Sequence, residues 1–110
     1  MESGTASTAE SMLSPVDSVR LSEIIQGFAS PVRLRILSAV MYSPLTVGEL
    51  CEAVGAGQTA VSNHLKLLRE LGLVAGTRDG RNIRYELFNS DVLQLLADMI
   101  SHLTPNSTDD

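Results

Sequence analysis

Apolar residues recur along most of this chain at the three-to-four-residue spacing of a helix, and change to strict alternation in one short stretch. Val16, Val19, Ile24, Ile25 and Phe28 make the first helical series. Ser14-Pro15-Val16-Asp17 precedes it as a start signal: serine as N-cap, proline in the first helical position and an acid in the first turn. Ser30-Pro31 opens a second helix in the same way. Its apolar positions, Val32, Leu34, Ile36, Leu37, Val40 and Met41, run almost all round it, so it is expected in the core. Ser43-Pro44 breaks it.

Thr46-Val47-Gly48-Glu49 is a capping box that starts a short third helix, ending at Gly55. Gly55-Ala56-Gly57 leads into a fourth helix, from Gln58 to Leu71, which Gly72 stops. Two helices joined by a short glycine-containing turn are the sequence form of a helix-turn-helix. Period two then takes over. Residues 73–77 make one strand, Asp79-Gly80 signals a hairpin turn, and Ile83, Tyr85 and Leu87 alternate with Arg84 and Glu86 on the return. Asn89 or Ser90 caps a last helix, from Asp91 to Leu103, with Pro105 beyond it. The expected fold is mainly α with a small β-hairpin, in the order α-α-α-α-β-β-α, a winged helix-turn-helix. Residues 1–13, rich in Ser, Thr, Ala and Glu, are expected as a disordered tail, 14–104 as the domain and 105–110 as a flexible C-terminal tail.

Composition narrows the class. A chain of 110 residues, 44% hydrophobic and 19% charged, is sized for one ordinary globular domain. No apolar run approaches a membrane span, and the polar start, Met1 to Ser14, does not read as a signal peptide. The single cysteine, Cys51, suits a reducing cytoplasm. There is no glycine-rich phosphate loop, no nucleophile with a base and no carboxylate pair, so an enzyme is not expected. The net charge of −5 argues against nucleic acid until its distribution is considered. Glu2, Glu10, Asp17, Asp109 and Asp110 lie towards the ends. Residues 60–84 hold Lys66, Arg69, Arg78, Arg81 and Arg84 against Glu70 and Asp79. Phosphate responds to that local field, not to the total.

On the fourth helix, Val61, Leu65, Leu68 and Leu71 face inward. Gln58, Thr59, Ser62, Asn63 and Lys66 fall opposite, with Gln and Asn suited to the edge of adenine. The plainer account is a solvated polar face. Arg78, Arg81 and Arg84 on the hairpin are candidates for phosphates or a minor groove, against the plainer account of a charge-protected strand edge. The last helix carries Val92, Leu95, Leu96, Met99, Ile100 and Leu103, and the first helix a similar stripe. Either the two stripes close the monomer's own core or they pair with a second copy.

FASPVRLRIL (28–37), LTVGELCEAVG (45–55), QTAVSNHLKLLRELGLV (58–74) and RDGRNIRYEL (78–87), in this order and spacing, resemble the arsenic-repressor (ArsR/SmtB) family of bacterial winged-helix regulators over residues 19–103. The resemblance implies a homodimeric repressor, released by some signal from a palindromic double-stranded DNA operator, with no membrane partner. It implies DNA contacts at Gln58, Thr59, Ser62, Asn63 and Lys66. It also implies pairing through the first and last helices, for which Val16, Val19, Leu95, Leu96, Met99 and Leu103 are the interface candidates. A winged-helix interaction module without DNA binding is the alternative that the acidic total suggests. The family's metal site on the last helix falls at Asn89, Asp91, His102 and Pro105. Only Asp91 and His102 remain as ligand candidates, too few for a tight site, so no cofactor is expected and Asp98 with His102 reads as an exposed pair. Of the family's cysteine site only Cys51 remains, at core spacing with Val47, Leu50 and Val54. His64 is read as structural.

Overall fold

The computed structural model describes residues 4–103. The helices are α1 (Gly4–Ser11), α2 (Pro15–Phe28), α3 (Pro31–Ala39), α4 (Val47–Val54), α5 (Gln58–Glu70) and α6 (Ser90–Ser101). The strands are β1 (Leu45–Thr46), β2 (Val74–Asp79) and β3 (Asn82–Leu87). A helix thus occupies part of the segment expected as a disordered tail. Ala9 and Glu10 are good helix formers, and helical hydrogen bonds are local, which favours a helical turn there. Residues 105–110 and Pro105 as a helix stop lie outside the described residues.

The start signals hold at atomic detail. Ser14 Oγ accepts the amide of Asp17 at 3.1 Å and Ser30 Oγ that of Arg33 at 3.2 Å, with proline in the first turn each time. Thr46 and Glu49 form the reciprocal capping box. Asn89 Oδ1 accepts the amide of Val92 at 3.0 Å and so caps α6. Each such cap satisfies a backbone donor that a helix start leaves orphaned and contributes about 1 kcal/mol.

The sheet has three antiparallel strands in the order β1-β3-β2. β1 has no signature in the sequence, because two residues cannot display a period of two. Leu45 pairs with Tyr85 and Thr46 with Arg84, so Thr46 serves as both strand residue and helix cap. In the hairpin Asp79 pairs with Asn82, which places Gly80 and Arg81 at the turn, one residue later than the expected Asp79-Gly80. Gly80 takes φ +66°, a conformation that primed hairpin turns require at their first central position and that glycine adopts without strain.

Ile36 and Leu37 of α3, Leu50 of α4, Leu65 and Leu68 of α5 and Leu96 of α6 are almost wholly buried and form one core, closed by Tyr85 and Leu87 of β3. Leu34 departs from the expected all-round burial of α3 and stays 40% exposed. Among the described residues no helix is long and apolar enough to cross a membrane.

Candidate nucleic-acid interface

Val61, Leu65 and Leu68 anchor α5 in the core. Gln58, Thr59, Ser62, Asn63 and Lys66 are all exposed on its outer side, as their spacing predicts. Gly57 precedes α5 and offers no side-chain cap, so the first-turn amides have no acceptor from the N-cap side chain. The positive end of the helix is therefore presented next to Gln58 and Thr59.

The three hairpin arginines are not equivalent. Arg78 and Arg81 are exposed, Arg81 in the turn itself. Arg78 makes a long hydrogen bond, 3.4 Å, to the carbonyl of Gly80. Arg84 does not extend freely from its strand as expected. Its Nε donates to Asp79 Oδ2 at 2.7 Å and its Nη1 to Glu49 Oε1 at 3.4 Å, with 41% of the side chain exposed. The register explains the difference. Arg84 sits between Thr46 and Thr77 of the flanking strands, within reach of the α4 start on one side and of the end of β2 on the other.

Glu49 is the hub of this arrangement. Its Oε1 accepts the Thr46 amide at 2.9 Å as well as Arg84. The backbone hydrogen bond from Thr46 is the main reason its carboxyl is held below the ordinary carboxylate range, with the Arg84 charge assisting. The hydrogen bond to Asp79, then the charge of Glu49, hold Arg84 above its usual value.

Two further arginines, unassigned by the sequence reading, are also engaged. Arg35 donates to the carbonyls of Val54, at 2.9 Å, and Ala53, at 3.3 Å, at the end of α4. Arg33 donates to those of Gln26 and Gly27 at the end of α2. Cations at helix C-termini meet the negative end of the dipole. Nothing local in the sequence signals these bonds, because each partner lies on another element. The exposed cations near α5 and the hairpin, once these are set apart, are Lys66, Arg69, Arg78 and Arg81.

Leu95 and Met99 on α6, and Leu103 just beyond its end, are exposed, Met99 to 38% and Leu103 to 77%. Val16 and Val19 of α2 are also exposed. Leu96, expected beside them at the interface, is instead 1% exposed in the chain's own core, because it lies on the side of α6 that faces the rest of the fold. A mostly apolar groove of about 550 Å³, lined by Phe28, Leu34, Met99 and Leu103 among others, runs between α3 and α6.

Asp91 and His102 lie exposed near opposite ends of α6. Among the described residues no group of three or more His, Cys, Asp or Glu is placed to hold a metal ion. The expected Asp98–His102 pair does not form. α6 ends at Ser101, leaving His102 at the C-cap, and Asp98 Oδ1 accepts from Gln94 Nε2 at 2.9 Å, one turn back. Cys51 is half-buried against the core.

Residues 30–75, which hold the helix-turn-helix, match the bacterial regulatory protein, arsR family. Over 91 residues the chain is 45% identical to the HTH-type transcriptional regulator NmtR of Mycobacterium tuberculosis, covering 80% of this chain and 76% of that one. The chain belongs to the arsR family. It is a winged helix-turn-helix transcriptional regulator. It is also 35% identical over 80 residues to the HTH-type transcriptional repressor SmtB of Mycobacterium tuberculosis, covering 73% of this chain and 59% of the relative. The fold matches a solution structure described as the homodimeric winged helix-turn-helix DNA-binding domain of a possible ArsR-family regulator from Mycobacterium bovis. Its TM-score is 0.75 at 22% identity, covering 91% of this chain and 97% of the other, a likeness of fold alone.

Proposed function

We propose that this arsR-family regulator is a cytoplasmic homodimeric repressor that reads a palindromic operator with α5. The observation that carries the reading is the exposed face of α5. Base-reading side chains, Gln58, Thr59, Ser62 and Asn63, stand at the end of a helix whose first turn lacks a side-chain cap, with Lys66 behind them. Arg78 and Arg81 on the hairpin supply phosphate contacts, or enter a minor groove, while Arg84 is engaged by Asp79 within the hairpin and by Glu49 at the start of α4. Residues 14–104 act as one unit for reading and pairing.

The pairing surface is Val16 and Val19 of α2 with Leu95 and Met99 of α6 and Leu103 beyond its end, Leu96 backing them from inside. Large apolar side chains exposed together on two helices are costly in a monomer and favour a second copy. The homodimeric state given for the Mycobacterium bovis structure supports the same assembly. A two-fold dimer places its two reading helices about one DNA turn apart, roughly 34–36 Å.

The test is selection from a random-sequence duplex pool by the wild-type protein, followed by affinity measurement in a salt series. Recovery of an inverted repeat, bound far more tightly than random duplex, is the expected result. Failure to enrich any sequence, with no salt-dependent binding, overturns the reading.

A further inference from the structure

Arg33 stands where α2, α3 and α5 meet. Its Nε donates to the carbonyl of Gly27 at 3.0 Å and its Nη2 to that of Gln26 at 2.8 Å, closing the end of α2. Its Nη1 lies 3.5 Å from Nδ1 of His64, on α5. A guanidinium has donors and no acceptor, so Nδ1 must be the acceptor in this bond. With Nδ1 accepting, Nε2 is the ring nitrogen left to donate. Both side chains are half-buried.

A second feature marks the same seam. A Cβ placed on Gly27 would come within 2.7 Å of Leu71 Cδ1 and 2.8 Å of Leu73 Cδ1. The end of α2 therefore lies against the end of α5 about as closely as a glycine backbone allows. The two helices so joined carry the two surfaces of the proposed function. Val16, Val19 and Ile25 are exposed on α2, and Ser62 and Asn63 immediately precede His64 on α5.

We propose that Arg33 is a positioning residue, which couples the pairing helix α2 to the orientation of the reading helix α5 through His64. The proposal rests on the dimeric DNA-reading function proposed above. Burial in the core holds α5 in place without direction, because apolar contacts tolerate small rotations. The Arg33 fork is planar and directional, and two of its bonds are charge-assisted bonds to one helix end. A displacement of α2 when two subunits rearrange then moves Arg33, and with it the turn of α5 that holds Ser62 and Asn63.

The experiment compares Arg33→Lys, His64→Ala and the double variant with the wild type. Lysine keeps the charge and loses the fork. The probes are the duplex selected by the wild-type protein and a random duplex of equal length. Each single variant is expected to lose about tenfold or more in affinity for the selected duplex, a difference of roughly 1.4 kcal/mol. Affinity for the random duplex should change less than about twofold, and sedimentation should still show the wild-type assembly. The double variant should be no worse than the poorer single, as two ends of one bond require. Additive losses, or equal losses on both duplexes, overturn the proposal.

Nitrogen-15 spectra give a readout that does not depend on DNA or on any variant folding. In the wild type near neutral pH, His64 should show a bare Nδ1 and a protonated Nε2, and the opposite tautomer overturns the proposal. In the folded single variants, amide resonances of Ser62–His64 and of Gln26–Gly27 should shift together. Wild-type protein that selects no duplex would sink the function proposed above, while these spectra still decide the clasp.

Discussion

Arg84 Nε lies 2.7 Å from Asp79 Oδ2, so a cation that strand alternation directs outward is held within the hairpin by the strand beside it. The same guanidinium reaches Glu49 at the start of α4. One residue thus joins the hairpin to the helix-turn-helix and takes itself out of the set of open positive charges.

Arg81 and Arg84 should therefore behave differently on DNA. Arg81→Ala is expected to weaken binding to all sequences alike and to lower the salt slope by about one unit, as loss of one phosphate contact requires. Arg84→Ala should change the slope less. Its cost in unfolding should be small, because the pairs it makes are exposed and screened by water. Binding isotherms at several salt concentrations separate the two. Equal slopes for both variants would show that Arg84 leaves its carboxylates for phosphate.

Sequence preference should reside on α5. Asn63→Ala or Gln58→Ala is expected to cost roughly 1–3 kcal/mol on the best duplex and to relax the choice of base at the contacted position. Competition among single-base variants of that duplex reads this directly. An unchanged preference in both variants would place the reading surface elsewhere.

Assembly and stability should separate on neighbouring turns of α6. Met99→Glu puts a charge on the exposed side and is expected to give a folded monomer, because an unpaired charge at an apolar seam costs several kcal/mol. Leu96→Ala acts inside the core and should destabilise each subunit by about 2–5 kcal/mol. Analytical ultracentrifugation and thermal unfolding distinguish the two, and a wild-type monomer at micromolar concentration would remove the seam altogether.

Acid should loosen the start of α4. The Glu49 carboxyl is held below its ordinary range, chiefly by the Thr46 amide. A carboxylate depressed in the folded state adds stability that is complete above its unfolded pKa and is lost as pH falls through its folded value. Glu49→Gln should flatten this acid dependence, which unfolding midpoints between about pH 7 and about pH 3 will read. Thr46→Ala removes the other half of the box and should cost about 0.5–2 kcal/mol near neutral pH.

Much of this molecule is written in short stretches of chain. Ser14-Pro15, Ser30-Pro31, Thr46 with Glu49, Gly72 and Asn89 mark helix boundaries by local hydrogen bonding, which needs no partner from far away. Helical spacing on α5 likewise divides Val61 and Leu65 from Ser62 and Asn63, because a helix has one fixed period. The four motifs in order were enough to indicate the family. Other features depended on distance in three dimensions. Leu95 and Leu96 look alike in sequence, but only the packing of α6 buries one and exposes the other. Arg81 and Arg84 are equal charges three residues apart, and only the pairing of β1 with β3 brings Glu49 to Arg84. Arg33 meets His64 across 31 positions of chain, a contact no local pattern encodes. Backbone hydrogen bonding and periodicity are properties of neighbours in sequence. Which charge is neutralised, and which apolar face is left for a second copy, are properties of neighbours in space.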